Sequence, residues 1–163
     1  MNRAALLVLT SAVFLNSCSG DSLNGPFDFS GSCDVFDVTD TTLETDPATV
    51  SRYEVLANCG MGSEIGETGA VVDFVVTSNP DNNALVITWQ AFYSTSQTDI
   101  MVASFEGTGT QVSTSTFSFA GTETYEGGTN DFDDIFGTGD ISGGTLTVTS
   151  PGSGGWTVVG QIN

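Results

Sequence analysis

Short segments that favour β-strands recur along the chain from residue 27 to residue 162, and turn residues separate them. They are rich in Val, Ile, Phe, Thr and Trp, which fit the pleated, half-buried surface of a sheet. No helical periodicity of useful length occurs after the first 17 residues. We therefore predict an all-β fold, with strands at 27–38, 52–57, 70–77, 84–93, 100–105, 111–120, 136–142, 145–149 and 156–162.

The loops between these segments are mostly too short for parallel crossovers, so neighbouring strands are expected to pair antiparallel. Eight or nine such strands close most easily into an up-and-down barrel, which also removes exposed edges. A two-sheet β-sandwich is the alternative. Two local features are also predicted: a bend or bulge at Gly31, and a hairpin over 140–149 with its two-residue turn at Gly143-Gly144.

The charge balance excludes several classes of function. The 163 residues carry 2 Lys and Arg against 20 Asp and Glu, for a net charge of -18, and contain no His. A chain so poor in cations cannot neutralise nucleic-acid phosphates, so we expect no nucleic-acid partner. The absence of His removes His-based metal sites and Ser-His-Asp catalysis.

The beginning of the chain resembles a bacterial lipoprotein signal. Met1-Asn2-Arg3 is a short basic region, and the uncharged residues 4–15 are too few to span a bilayer, which needs about 20 apolar residues. Leu15-Asn16-Ser17-Cys18 resembles a lipobox, whose cysteine is lipid-modified and becomes the mature N-terminus. We expect a signal peptide at 1–17, a lipidated tether at 18–26 and one barrel domain at 27–163. An ordinary secretory signal is the alternative.

The lipobox resemblance implies a location in the bacterial cell envelope. Ser19, rather than Asp, follows Cys18, and by resemblance to enterobacterial sorting this favours the outer membrane, on its periplasmic face or at the cell surface. The protein would be attached to the membrane by its N-terminal lipid alone.

Once Cys18 is assigned to lipid, two cysteines remain. Cys33 and Cys59 are expected to form a disulfide, because exported proteins fold in an oxidising compartment. On the chain-entropy relation, closing a loop of about 25 residues stabilises the fold by roughly 3 to 4 kcal/mol. A two-thiolate metal site is the alternative, but it lacks further soft ligands.

Several motifs resemble the lipocalin-like domains of small bacterial lipoproteins. They are Phe29-Ser30-Gly31-Ser32 after the tether, Asn58-Cys59-Gly60, the run Gly137-Thr138-Gly139-Asp140-Ile141-Ser142-Gly143-Gly144-Thr145-Leu146-Thr147-Val148-Thr149, and Trp156-Thr157-Val158. The resemblance spans most of the chain after the tether. It implies a small antiparallel barrel, often of unknown ligand, with no catalytic motif to carry over.

Large aromatic side chains offer a candidate binding site inside such a barrel. An eight-stranded barrel is just wide enough either to be filled by its own side chains or to hold one small ligand. The candidate lining residues are Trp89, Phe92, Phe105, Phe117, Phe119 and Trp156.

A cluster of carboxylates in 130–140 offers oxygen ligands for a hard cation such as calcium. The candidate ligands are Asp131, Asp133, Asp134 and Asp140. The alternative is a solvated acidic loop. Carboxylate pairs such as Asp133 with Asp140, or Glu123 with Glu126, could in principle hydrolyse glycosides, but nothing in the sequence raises one pKa selectively.

Taken together, these features predict a monomeric envelope lipoprotein that is not an enzyme. It would act as a binding or accessory module, with a small hydrophobic ligand in the barrel and no cofactor. Two alternatives stay open at this stage: a structural or interaction lipoprotein whose barrel is filled and whose partner is another envelope protein, and a calcium-stabilised surface domain.

Overall fold

The alternating segments close into a β-barrel. The computed structural model describes residues 26–82, 84–149 and 151–163, and in these residues eight antiparallel strands follow one another around a closed barrel. The strands are β1 (Phe27–Asp40), β2 (Val50–Gly60), β3 (Glu67–Ser78), β4 (Leu85–Ser94), β5 (Ile100–Ser113), β6 (Thr116–Gly128), β7 (Phe136–Thr147) and β8 (Ser153–Ile162). Each strand pairs with the next, and β8 pairs with β1. The predicted up-and-down barrel is confirmed, and the sandwich alternative is wrong.

Alternation along each strand decides which side chains lie inside. In β4, Leu85, Ile87, Trp89, Ala91 and Tyr93 are all buried, while the residues between them are exposed or half-buried. Successive side chains of a strand point to opposite faces of the sheet. The core is therefore the barrel interior, built from one side chain in two along each strand.

The two ends of the barrel differ. We call the end that carries the 41–49, 79–84, 114–115 and 148–152 connections the mouth end, and the opposite end the plugged end. The plugged end carries α1 (Gly62–Ile65) and a 3-10 turn (Asn130–Phe132). Met61 and Ile65 from the first connection, and Phe132 and Ile135 from the second, are buried there. Four apolar side chains thus close this end against water.

The first strand begins at the plugged end, where Phe27 pairs with Ile162. The expected signal peptide, the cysteine expected to carry lipid (Cys18) and all of the expected tether except residue 26 lie outside the described residues. Among the residues that are described, no helix is long and apolar enough to cross a bilayer.

The disulfide prediction is confirmed. Cys33 on β1 and Cys59 on β2 are direct cross-strand partners, and both side chains are buried and bonded to each other. The alternative of a two-thiolate metal site is therefore wrong, because neither sulfur is free to bind a metal.

The predicted bend or bulge at Gly31 is wrong. Phe29, Gly31, Cys33 and Val35 all face inward, so the alternation of β1 passes through Gly31 without a change of phase. The register shift of this strand lies instead beyond Val35, between that residue and Asp37.

The predicted hairpin at Gly143-Gly144 is also wrong. Both glycines lie inside β7, neither has a positive φ, and the register of β7 with β8 shifts between Ile141 and Gly144. A Cβ at Gly144 would overlap the ring of Phe119 on β6. The glycine therefore makes room for an inward-facing aromatic ring, and the chain reverses later, within 148–152.

The segment predicted as one strand over 111–120 is divided between two strands. β5 runs to Ser113, and β6 begins at Thr116. Thr114 and Ser115 form the connection, although neither is a residue that marks a tight hairpin turn as Gly or Asn does.

Candidate functional site

Aromatic rings fill the middle of the barrel. The rings of Trp89 and Phe105 are stacked, with centroids 3.8 Å apart and an interplanar angle of 13°. Phe119 meets Trp89 edge to face at 5.4 Å, and Trp156 lies at 5.4 Å from the same indole. Phe74 stacks against Trp89 at 5.7 Å. Rings at these separations are in van der Waals contact, so the space that a central ligand would occupy holds side chains.

Five of the six residues predicted to line the interior are buried inside the barrel: Trp89, Phe105, Phe117, Phe119 and Trp156. The expected position of the sixth is wrong, because Phe92 is 41% exposed on the outer wall. It lies three positions after Trp89 on β4, and an odd number of steps along a strand reverses the face.

A buried carboxylate lies within this aromatic core. Glu123 on β6 is fully buried. Its Oε1 accepts hydrogen bonds from Trp89 Nε1 at 3.0 Å and from the Tyr93 hydroxyl at 2.7 Å, and its Oε2 accepts one from the Tyr125 hydroxyl at 2.8 Å. We call these four residues the Glu123 cluster. Three donors thus compensate much of the cost of removing the carboxylate from water.

Burial also changes the acidity of the cluster. It raises the pKa of Glu123 above its ordinary value of 4.5, and the three hydrogen bonds from the tyrosines and the indole oppose that rise. Burial and the neighbouring carboxylate raise the pKa of both Tyr93 and Tyr125, so both phenols stay protonated and donate. Because the cluster is enclosed, Glu123 cannot act as acid or base on a substrate outside the barrel.

The sequence contained a signal for this carboxylate. Glu123 is in phase with Phe119 and Tyr125 along β6, so an alternating strand places all three on the same inner face. Glu126, the partner considered for acid-base catalysis, has the opposite phase and is exposed on the outer wall. The two carboxylates of that pair are therefore on opposite sides of the sheet.

One further polar group lies in the core. The indole N–H of Trp156 is buried and has no hydrogen-bond partner among the described residues. The Trp156 side chain partly opposes the rise in the pKa of Tyr93 that burial causes.

The mouth end has a small cleft of about 240 Å³. Its base is apolar and its rim carries hydroxyl and amide groups; the lining includes Thr49, Ser51, Tyr53, Val76, Gln111 and Phe117. Burial raises the pKa of Tyr53, so its phenol is neutral. The cleft is large enough for a small polar molecule, and its lining does not include Trp89, Phe105 or Phe119.

The outer wall has a larger hollow of about 650 Å³ across β4, β5 and β6. Thr88, Ser104, Glu106, Thr122 and Thr124 line it, so its surface is rich in hydroxyl groups. These side chains lie on the face of the sheet that points away from the core.

The four carboxylates predicted to bind calcium do not form a metal cluster. Asp131, Asp133 and Asp134 are exposed in the connection that plugs the barrel. Asp140 is exposed on the outer wall of β7, where it accepts a hydrogen bond from Thr122 at 3.1 Å. Within the described parts of the chain, no three His, Cys, Asp or Glu side chains are grouped closely enough to hold a metal ion.

Comparison of the chain with protein-family models, with curated proteins and with solved structures found no match.

Proposed function

We propose that this protein is a lipid-anchored, non-catalytic interaction module of the bacterial cell envelope. In this proposal the barrel is a filled scaffold, and the protein binds another envelope protein through its outer wall and its mouth-end loops. The observation that carries the proposal is the aromatic core, in which Trp89 stacks on Phe105 and contacts three further rings.

The filled interior supports an interaction role over transport of a ligand. Pockets for drug-sized molecules usually measure about 300 to 1,000 Å³. The core of this barrel is instead packed with rings and with the Glu123 cluster, and four apolar side chains close the plugged end. Surfaces available to a partner are therefore outside the barrel.

The position of the start of β1 supports a defined orientation of the barrel. A tether from Cys18 to Phe27 spans at most about 30 Å when fully extended, and it joins the barrel at the plugged end. A lipid on Cys18 would hold that end near the membrane. The mouth-end loops and the outer wall would then face the compartment in which a partner is met.

Lipid attachment is tested by expressing the full chain in bacteria fed an alkyne-tagged fatty acid. We expect label on the wild-type protein and none on Cys18→Ala, with the protein moving from the membrane to the soluble fraction. Label that is absent from the wild type, or that persists in Cys18→Ala, would overturn the anchor.

The alternative function, a carrier of a small ligand, is favoured by the cleft at the mouth end. Native mass spectrometry of the secreted, non-lipidated protein distinguishes the two. We expect a bare monomer, with and without chelation of calcium. A reproducible adduct of a small organic molecule would replace the interaction module by a carrier, and calcium lost on chelation would move the function to the acidic connection.

A further inference from the structure

A groove of about 400 Å³ runs along the outer wall where β2, β3 and β4 lie side by side. Its floor is apolar: Val71 and Phe92 are direct cross-strand partners, and they are 45% and 41% exposed. Leu43, from the connection between β1 and β2, forms part of one side and is 60% exposed. We call this surface the Phe92 groove.

The apolar floor continues along neighbouring strands. Leu56 pairs with Val71, and Val102 pairs with Phe92, so four outward apolar side chains form one row across β2 to β5. Leu56 and Val102 are half-buried. A contiguous apolar patch of this kind, bordered by polar residues, is typical of a surface that binds another protein.

The side of the groove formed by Leu43 is held in place before any partner binds. Asp46 Oδ2 accepts hydrogen bonds from the Leu43 backbone N–H at 3.0 Å and from Arg52 Nε at 3.0 Å. The Thr42 hydroxyl accepts a hydrogen bond from the backbone N–H of Arg52 at 2.9 Å. These bonds tie the connection to β2, so a partner would not have to order it. Such preorganisation lowers the entropic cost of binding.

The groove carries more negative than positive charge. Glu54 and Asp73 line it, are both exposed, and are direct cross-strand partners. Like charges placed opposite each other on neighbouring strands destabilise a sheet. Among the described residues the only cation is Arg52; it also lines the groove, but its ion pair is with Asp46 at 3.0 Å. A cation brought by a partner would therefore relieve the repulsion between the two carboxylates.

We propose that the Phe92 groove binds a segment of a partner protein in which a Lys or Arg lies next to bulky apolar side chains. The apolar side chains would cover Val71 and Phe92, and the cation would lie between Glu54 and Asp73. This inference rests on the proposed function and specifies the binding surface and the chemistry of the partner. A second copy of this chain does not fit, because each copy has a net charge of -18 and brings the same two carboxylates.

Random-peptide display selects for this chemistry without knowledge of the partner. All strand pairing and the disulfide lie within 27–162, so a secreted form of residues 19–163 keeps every described contact. We expect enrichment of peptides with Lys or Arg beside Leu, Phe or Trp. Selected peptides are then synthesised, and their Kd values are measured by fluorescence polarisation at low and high salt.

Matched variants locate the binding surface. Glu54→Gln combined with Asp73→Asn is expected to weaken binding at least about tenfold, and Phe92→Ser is expected to do the same. The controls are Glu106→Gln, which removes an exposed carboxylate elsewhere, and Val86→Ser, which removes an equally exposed apolar side chain from β4. Circular dichroism and thermal unfolding verify that each variant is folded.

Three results would overturn the proposal. The display could fail to enrich peptides that combine a basic with an apolar residue, the selected peptides could bind equally well at high salt, or their binding could be unchanged by the Glu54/Asp73 double substitution and by Phe92→Ser. If the secreted protein binds zwitterionic vesicles and Phe92→Ser abolishes that binding, the groove is assigned to a membrane. If the secreted protein self-associates and Phe92→Ser abolishes the self-association, the groove is assigned to a second copy of the chain. Peptides that bind elsewhere would remove this inference and leave the interaction module intact. A ligand found inside the barrel by native mass spectrometry would remove the interaction module itself.

Discussion

Replacing Glu123 by leucine is expected to destabilise the barrel strongly, whereas replacing it by glutamine is expected to be tolerated. Leucine is close to glutamate in volume, so the core stays filled, but three donors lose their acceptor: Trp89 Nε1 and the hydroxyls of Tyr93 and Tyr125. A buried donor without a partner costs about 1 to 3 kcal/mol. Part of that cost is offset because a buried charge is also removed.

Glutamine keeps two hydrogen bonds of the Glu123 cluster and can reverse the third. Its amide oxygen can accept from Trp89 and Tyr93, and its amide nitrogen can donate to the Tyr125 oxygen. We therefore expect the free energy of unfolding of Glu123→Gln to lie within about 1 kcal/mol of the wild type, and that of Glu123→Leu to be at least about 3 kcal/mol lower. In a barrel of this size the latter corresponds to a fall in Tm of about 10 °C.

The assay is urea unfolding of the secreted protein, monitored by tryptophan fluorescence at a series of pH values. Burial raises the pKa of Glu123 in the folded state above its ordinary value of 4.5. The folded protein therefore binds this proton more tightly than the unfolded chain does, and the wild type loses stability relative to Glu123→Gln as the pH rises from 4.5 through the folded-state pKa. Glu106→Gln, which removes an exposed carboxylate, controls for the change in net charge.

Two results would refute this reasoning. Equal destabilisation by glutamine and leucine would show that the hydrogen bonds of the cluster are not the source of the effect. A wild type that gains stability relative to Glu123→Gln as the pH rises towards 4.5, and then stays level above it, would show that the hydrogen-bond donors outweigh burial and that the folded-state pKa is lowered.

Three other predictions concern the packing of the strands, the disulfide, and the connection between β1 and β2. Gly144→Ala is expected to lower the free energy of unfolding in urea by about 1 to 3 kcal/mol, because a Cβ there would overlap an aromatic ring on β6. Gly143→Ala is the control, since the space around Gly143 is open. Equal destabilisation by the two substitutions would contradict the argument. Cys33→Ala combined with Cys59→Ala removes a disulfide between residues 26 positions apart. This double substitution is expected to lower the free energy of unfolding by about 3.5 kcal/mol. An unchanged midpoint of urea unfolding would contradict this prediction. Arg52→Gln is expected to accelerate amide exchange in the connection between β1 and β2 while leaving the strands protected; unchanged exchange there would show that the ion pair does not hold that connection.

Most of the fold could be predicted from local patterns. Alternation along strands such as β4, and loops too short for crossovers, lead to an antiparallel barrel because each inner face must be buried. The disulfide was predicted from the number of cysteines and from the expectation that the protein is exported. The errors arose where one residue type has two roles: Gly143-Gly144 has the composition of a tight turn, but Gly144 lies within a strand to accommodate Phe119.

Less of the candidate site was predictable. The phase of β6 is sufficient to place Glu123 inside, but no local pattern indicates which donors it meets. Trp89 and Tyr93 belong to β4, which does not pair with β6 because β5 lies between them. The Phe92 groove likewise depends on register, which sets Val71 beside Phe92 and Glu54 beside Asp73.

The sequence by itself determined most of the inward-facing side chains, because the period of a strand is two. The changes of phase within β1 and β7, after Val35 and after Ile141, appear only in the strand pairing. It also determined the net charge of -18 and the number and positions of the cysteines that can form a disulfide. Only the tertiary structure decided what the interior contains and which outer side chains share a row. Those properties depend on the closure of the barrel and the register of each strand pair, which are set by packing among residues far apart in the chain.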